Sequence, residues 1–248
     1  MNFQKRKAAI IRQIETTGEG EVRDLAKSLH VSEITIRRDL KRLAGDGVLM
    51  RTHGGAIRVP STPPAYPFAE KIAANAKAKE AIARRAAAEI NDGDTLFLDC
   101  GSSVFHLCPY IRNKKIRIIT NSLPVIRELA NSSVEINVIG GEFDRERQAV
   151  HGRMAGFHIA QYRADKAFLG IDGICAQGLF ANSEKEADLT LALAAGAKTA
   201  IILCDSSKIG RAGYLRFAGL DLPETVITDA PAAHCQFLIK AGIKVIVV

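Results

Sequence analysis

The sequence predicts two folds in tandem: a small α+β module of three helices and a β-hairpin, then a larger α/β domain on a mostly parallel sheet. Three observations carry that prediction. The stretch VPSTPPAYP, residues 59–67, holds four prolines and no charge, a composition that stops helices and excludes central strands. Residues 1–60 carry 12 Lys+Arg against 7 Asp+Glu, whereas residues 61–248 carry 22 against 20, so most of the formal charge of +7 sits in the first quarter of the chain. Beyond the prolines, near-continuous apolar runs of strand length alternate with helical patterns, as expected of parallel strands covered on both faces. The boundaries follow as residues 1–58, a linker over 59–72, and residues 73–248.

In the first domain, Lys5–Thr16 places Ala9, Ile10 and Ile14 on one side of a helix. Glu21–Leu29 turns Val22, Leu25, Ala26 and Leu29 inward. A third helix begins at Ser32, a good N-cap, and runs to about Gly45. VLMRT and AIRV then read as short strands joined by HGG, where glycine is expected to supply the positive φ of a tight hairpin. After the linker, KAKEAIARRAAAEI is a long helical pattern. DTLFLD, KIRIIT, VEINVIG, KAFLGID, TAIILCD, TVITD and IKVIVV are seven strand candidates, with LPVIRELA and KEADLTLALAAGA as helices among them.

Composition excludes several classes. Apolar content of 47% with 25% charged residues is that of a soluble globular protein. The terminal VIVV is far too short to span a bilayer, and MNFQKRKAAIIRQIE has no secretory apolar core. Five scattered cysteines without a CxxC pair favour reduced thiols in a cytoplasm over disulfides or a zinc site. Six histidines show neither HxxxH nor HExxH spacing, and neither GxGxxG nor GxxxxGK[ST] occurs. No catalytic residue, metal or cofactor is expected.

The basic charge is organised. At 100° per residue, Ile36, Leu40 and Leu43 share one face of the third helix. Ile34, Arg38 and Lys41 face the other way, flanked by Thr35, Arg37 and Arg42. That outer face offers guanidinium forks and ammonium groups for phosphate or guanine, hydroxyls, and one aliphatic side chain for a thymine methyl. The second helix, a turn through His30 and Val31, and a helix from Ser32 have helix-turn-helix spacing, and the hairpin would form a wing. The expected DNA contacts are Ser32, Glu33, Ile34, Thr35, Arg37, Arg38, Lys41 and Arg42 on the helix, with Arg51, His53 and Arg58 on the wing. Asp39 lies about 60° from the core face by the same geometry; it is expected to orient Arg38, Arg42 or a backbone donor, or to be a plain exposed charge.

In the second domain, three strand ends carry small polar residues: Asp99 and CGSS (100–103), Thr120-Asn121-Ser122, and Asp205 followed by Ser206-Ser207-Lys208. In open parallel sheets the carboxyl ends of strands face the ligand crevice. Glycine, hydroxyls and a following helix make an anion cradle, Lys208 adds a positive charge, and Asp99, Asp172 and Asp205 are placed to accept from sugar hydroxyls.

Residues 6–40 resemble the N-terminal signature of DeoR-family bacterial transcription regulators: Arg6, then Ile10 and Ile14, then Ser32-Glu33-Ile34-Thr35-Ile36-Arg37-Arg38-Asp39-Leu40, with RTHGGA (51–56) similar to that family's wing. DGDTLFLDCGSS, IITNS, VIGGEF, KAFLGIDGI, SEKEA, CDSSKIG and ITD resemble the family's effector domain, which is similar to ribose-5-phosphate isomerase. The resemblance implies a winged helix-turn-helix followed by a Rossmann-like, isomerase-like effector domain. It also implies that Gly101, Ser102 and Ser103 hold a phosphate, that Thr120, Asn121, Ser122, Gly140 and Gly141 shape the site, and that Asp172, Glu186, Asp205 and Lys208 recognise the sugar, with Glu184 an alternative to Glu186. The implied function is repression of a sugar or sugar-alcohol catabolic operon. Its partners are double-stranded operator DNA, a phosphorylated sugar effector and further copies of the chain in a dimer or tetramer, since one small module reads too few bases. The alternative is a sugar-phosphate isomerase-like enzyme fused to a DNA-binding module. Against it, the lysine and glycine-rich segment that such isomerases carry ahead of the glutamate is replaced here by CAQGLFANSEKEA.

Overall fold

A computed structural model describes residues 3–45, 49–52, 54–58 and 67–248, and the chain divides into two units, Met1–Pro64 and Ala65–Val248. The first unit runs α1 (Phe3–Thr17), β1 (Glu19–Glu21), α2 (Val22–Ser28), α3 (Glu33–Gly45), β2 (Leu49–Arg51) and β3 (Gly55–Arg58). Ile10, Ile14, Leu25, Ile36, Leu40 and Leu43 meet in one core, which is why the apolar periodicity of three separate helices is so regular. Between α2 and α3 the chain reverses on His30 (φ 53°), and the Val31 N–H returns to the Ala26 carbonyl at 3.0 Å, a left-handed helix stop. Ser32 then caps α3, accepting from the Thr35 N–H at 3.3 Å.

Two details differ from expectation. The hairpin belongs to a three-stranded antiparallel sheet, order β1-β3-β2, with β3 in the centre, because the three residues Glu19–Glu21 pair with β3. Neither Gly54 nor Gly55 takes a positive φ; glycine is required at 55 because a Cβ there would lie 2.1 Å from the Gly20 carbonyl oxygen.

The second unit opens with α4 (Pro67–Ala73) and α5 (Ala76–Ala87), so residues 67–72 are helical where the sequence suggested linker. Proline at a first helical position needs no N–H partner, which reconciles Pro67 with a helix start. There follow β4 (Thr95–Leu98), α6 (Ser102–Phe105), α7 (Cys108–Ile111), β5 (Arg117–Thr120), α8 (Leu123–Leu129) and β6 (Glu135–Val138). The hairpin β7 (Glu142–Asp144) and β8 (Ala149–His151) leads to α9 (Arg153–Ala160) and β9 (Ala164–Leu169). The chain ends through β10 (Gly173–Cys175), β11 (Gly178–Ala181), α10 (Glu184–Ala195), β12 (Ala197–Leu203), β13 (Leu215–Ala218), β14 (Thr225–Thr228), α11 (Gln236–Lys240) and β15 (Lys244–Val247).

The seven strand candidates all fall in one parallel sheet of order β15-β14-β12-β9-β4-β5-β6. Alternate residues feed two cores. Leu96, Leu98, Ile118 and Phe168 pack on the face covered by α5 to α8, and Phe97, Ile119, Ala167 and Leu169 on the face covered by α9 to α11. A sheet dry on both sides explains why its strands read as unbroken apolar runs. Strand order reverses between β4 and β9: β5 and β6 extend to one side, β12, β14 and β15 to the other. The loops that leave those two strands therefore diverge and open a crevice, which is where such sheets place ligands. Among the described residues no helix is long and apolar enough to cross a membrane.

Candidate functional site

In the first unit, α3 turns Ile36, Leu40 and Leu43 into the core and leaves Arg37, Arg38, Lys41 and Arg42 exposed, together with Ile34, 72% accessible. An isoleucine so exposed, one turn before Arg38 on the same helix, adds nothing to the core. Glu33 is engaged within the unit: its carboxylate lies 3.4 Å from Arg37 and 3.8 Å from Arg23, so it orients cations rather than standing free. Arg42 stacks 4.4 Å from the centroid of Phe3. Ser32 and Thr35 are bonded to each other at 2.9 Å at the start of the helix. Arg51 is exposed on β2; His53 lies outside the described residues, as does the side chain of Arg58.

Asp39 is buried, its side chain 5% exposed, and neither Arg38 nor Arg42 is its partner. Arg6 of α1 donates to it twice, Nε to Oδ2 at 2.6 Å and Nη2 to Oδ1 at 3.2 Å. That carboxylate raises the arginine's already high pKa. The pair ties α1 to the back of α3, which corrects the expectation that Asp39 orients Arg38, Arg42 or a backbone donor, or is a plain exposed charge.

In the second unit a cleft of about 370 Å³ opens at the β4/β9 reversal. Of the effector residues expected from sequence, Asp99, Gly101, Ser102, Ser103, Asp172, Glu186, Asp205 and Lys208 line it. Thr120, Asn121, Ser122, Gly140 and Gly141 do not. The first three are fully buried and pin loops: Thr120 Oγ1 donates to the Leu98 carbonyl at 2.7 Å, Asn121 Nδ2 to the Val150 carbonyl at 3.0 Å, and Ser122 caps α8. Gly140 and Gly141 lie beyond β6, where the Gly140 N–H donates to His158 Nδ1. Glu184 is exposed and does not line the cleft.

Asp99 differs from its expected role. Its two oxygens are occupied by backbone, Oδ1 accepting from the Cys100 N–H at 2.7 Å and Oδ2 from the Gly170 N–H at 3.0 Å, so it clamps the β4 and β9 loops together. Burial nevertheless raises its pKa, against those two N–H groups. The clamp requires glycine on both sides, since a Cβ on Gly101 would lie 3.0 Å from the Gly170 Cα.

Several wall residues come from segments that sequence reasoning left out. Lys71 of α4 pairs with Asp172 at 3.2 Å, and the other Asp172 oxygen accepts from the Asn182 N–H at 3.0 Å. Asn75, in a left-handed conformation, donates to Asp205 at 3.0 Å. Lys79 of α5 is buried and donates to the carbonyls of Lys71 and of Ala74, the latter at 2.7 Å. Burial lowers its pKa, with Lys208 and Lys71 acting in the same direction and Asp205 against. One signal for Lys79 was present: it stands three, four and seven residues before Ile82, Ala83 and Ala86, on the buried stripe of α5.

Arg147, in the turn after β7, meets Glu186 at 2.8 Å. Burial raises the Glu186 carboxyl from 4.5 to about 7, against the pull of Arg147 and Lys71. Between those values the native state holds more protons than the unfolded chain, so stability falls as pH rises through the window, by on the order of 3 kcal/mol in all. Glu186→Gln keeps an acceptor for Arg147 without the charge. We expect it to melt above wild type at about pH 8 and to converge with it near pH 4, as thermal melts across that range will read. Parallel curves would assign the titration elsewhere.

Comparison with known proteins bears on both units. Residues 6–62 match the family model described as DeoR-like helix-turn-helix domain, and residues 74–230 match DeoR C terminal sensor domain. The lactose phosphotransferase system repressor of Lactococcus lactis subsp. lactis is 34% identical over 234 residues, 92% of each chain. The glycerol-3-phosphate regulon repressor of Escherichia coli (strain K12) is 32% identical over 93% of this chain and 92% of its own. Among solved structures, ribose 5-phosphate isomerase A from Methanocaldococcus jannaschii superposes with a TM-score of 0.40 at 19% identity, over 54% of this chain and 55% of the isomerase.

Proposed function

The chain belongs to the DeoR family of DNA-binding transcriptional regulators and is a repressor of a sugar catabolic operon, and we propose that a phosphorylated sugar held in the β4/β9 cleft weakens its grip on the operator. The observation that carries the effector reading is chemical. Ser102 and Ser103 follow the clamped glycine at the strand-order reversal, with three ammonium groups (Lys71, Lys79, Lys208) around the same cleft. Hydroxyls beside converging cations suit a phosphate, and the carboxylates of Asp172, Glu186 and Asp205 suit sugar hydroxyls. The regulator acts on double-stranded DNA in the cytoplasm as a homo-oligomer, because a single α3 reads only a few base pairs. By linkage, an effector that weakens operator binding is itself bound less well by the operator complex. Operator binding titrated against a panel of phosphorylated and unphosphorylated sugars tests the reading; if no phosphorylated sugar changes operator affinity, it fails.

On the DNA side, α3 enters the major groove with Ile34, Arg38 and Lys41 leading. Arg38→Ala is expected to cost about 1–3 kcal/mol on the cognate operator and to relax selectivity if the guanidinium reads a base; a uniform loss on all sequences would assign it to phosphate. Unchanged affinity everywhere would remove Arg38 from the interface.

Glu186, titrating near neutral pH, is the feature a proton-transfer enzyme would share. Assays with aldose and ketose phosphates separate the readings, and sustained turnover would overturn a role confined to binding.

A further inference from the structure

α4 is the first element after the segment that connects the two units, and its attachments converge on the cleft. Phe68 packs edge-on against Phe105 of α6, with ring centroids 6.0 Å apart, and the Ile72 carbonyl lies 3.2 Å from His106 Nε2. Lys71 reaches Asp172. At the other end, the Lys71 and Ala74 carbonyls accept from the Lys79 ammonium, and Asn75, which turns the chain into α5, is held by Asp205.

Lys79 stands apart among these groups. It is 4% exposed, and among the described residues no carboxylate lies within salt-bridge distance of its ammonium. Two of its three N–H groups go to backbone carbonyls, which leaves one donor and a whole positive charge for an acceptor in the cleft that it lines. A buried cation whose hydrogen bonds go only to neutral carbonyls, with Asp205 attracting it from beyond bonding distance and Lys208 and Lys71 repelling it, is costly, and an anion relieves that cost where a neutral molecule does not.

We propose that the effector's phosphate is the counter-ion of Lys79, and that by binding it the ligand locks α4 and the Asn75 turn onto the sensor domain. This deepens the effector reading above and rests on it. Lys79 keeps both carbonyls and spends its remaining donor on the phosphate, so one ammonium links ligand and helix. An unphosphorylated sugar lacks the charge and leaves α4 as it was. The signal thus reaches the element to which the connecting segment, and beyond it the DNA-binding unit, is joined.

Amide hydrogen exchange on the full chain tests this, with inorganic phosphate as probe and chloride at matched ionic strength as control. Phosphate should slow exchange over residues 68–75 by about fivefold or more while raising the melting temperature. In Lys79→Gln, exchange there should be fast in both salts, and phosphate affinity should fall by at least about tenfold. The wild-type comparison stands even if that variant folds poorly. Phosphate that raises the melting temperature but leaves exchange over 68–75 unchanged overturns the lock while sparing the anion site. Phosphate without effect on either also overturns it; the effector reading falls with it only if sugar phosphates leave operator binding unchanged too.

Discussion

Asp39→Ala is expected to lower the melting temperature of the N-terminal unit by roughly 10–20 °C and to abolish operator binding. The side chain touches no DNA-facing group. It receives two N–H bonds from Arg6 beneath the helix that carries Arg38 and Lys41, and so fixes α1 against α3. The unit around it is small, with one core of few large side chains, and domains of that size have little stability to lose. Simple electrostatics predicts the opposite result: deleting a negative charge from a basic helix should strengthen attraction to a polyanion, most visibly at low salt. The two accounts therefore separate on one measurement. Weakened binding together with an early melting transition supports the buried pair. Stronger, salt-sensitive binding at an unchanged melting temperature would make Asp39 an ordinary surface charge. Asp39→Asn, which keeps the shape and one acceptor, should fall between wild type and alanine.

The same residue shows what a linear reading can and cannot reach. Periodicity identified α3 because its burial repeats every three or four residues, and it set Asp39 near the core face. It could not supply Arg6, which is 33 positions away and meets Asp39 only once two helices have packed. The parallel strands were legible for a different reason. Residues such as 96–98 of β4 and 200–203 of β12 are buried on both faces, so their hydrophobicity does not depend on knowing their neighbours. The antiparallel additions were not legible. Glu19–Glu21 is a strand only because β3 pairs with it, and β7, β8, β10, β11 and β13 are likewise defined by antiparallel partners, β7 with β8 and β11 with β10 and β13. In the cleft, the strand-end loops announced themselves by small polar residues after an apolar run. The opposite wall announced itself only at Lys79, which stands on the apolar stripe of α5; Lys71, Asn75 and Arg147 come from helices and turns whose local sequence reads as solvated surface. Thr120, Asn121 and Ser122 failed in the converse way. They have the composition of a ligand loop, but β5 lies one strand away from the order reversal, and there those side chains tie backbone to backbone.

That reversal also sets the second large effect. Gly101→Val is expected to raise the effector concentration needed to release operator by about 30- to 100-fold, with operator affinity in the absence of effector changed no more than about threefold. The first side-chain carbon alone would stand 3.0 Å from the Gly170 Cα, tighter than most packed contacts, and valine adds two methyl groups beyond it. Both contact partners are backbone, so neither can rotate away. The β4 and β9 loops must part, and with them the Asp99 clamp that accepts from Cys100 on one side and Gly170 on the other. Ser102 and Ser103, which line the cleft, follow directly on the displaced residue, so their hydroxyls move with it. Ser102→Ala with Ser103→Ala removes those hydroxyls without moving the loop and should give a smaller loss. The DNA-binding helix belongs to the other unit and has its own core, which is why effector-free binding is expected to persist. Titration of operator complexes with an active phosphorylated sugar reads both quantities at once. A normal release curve from Gly101→Val would mean that the phosphate is held away from the strand-order reversal. Loss of operator binding without effector would mean instead that this loop supports the DNA-bound state itself.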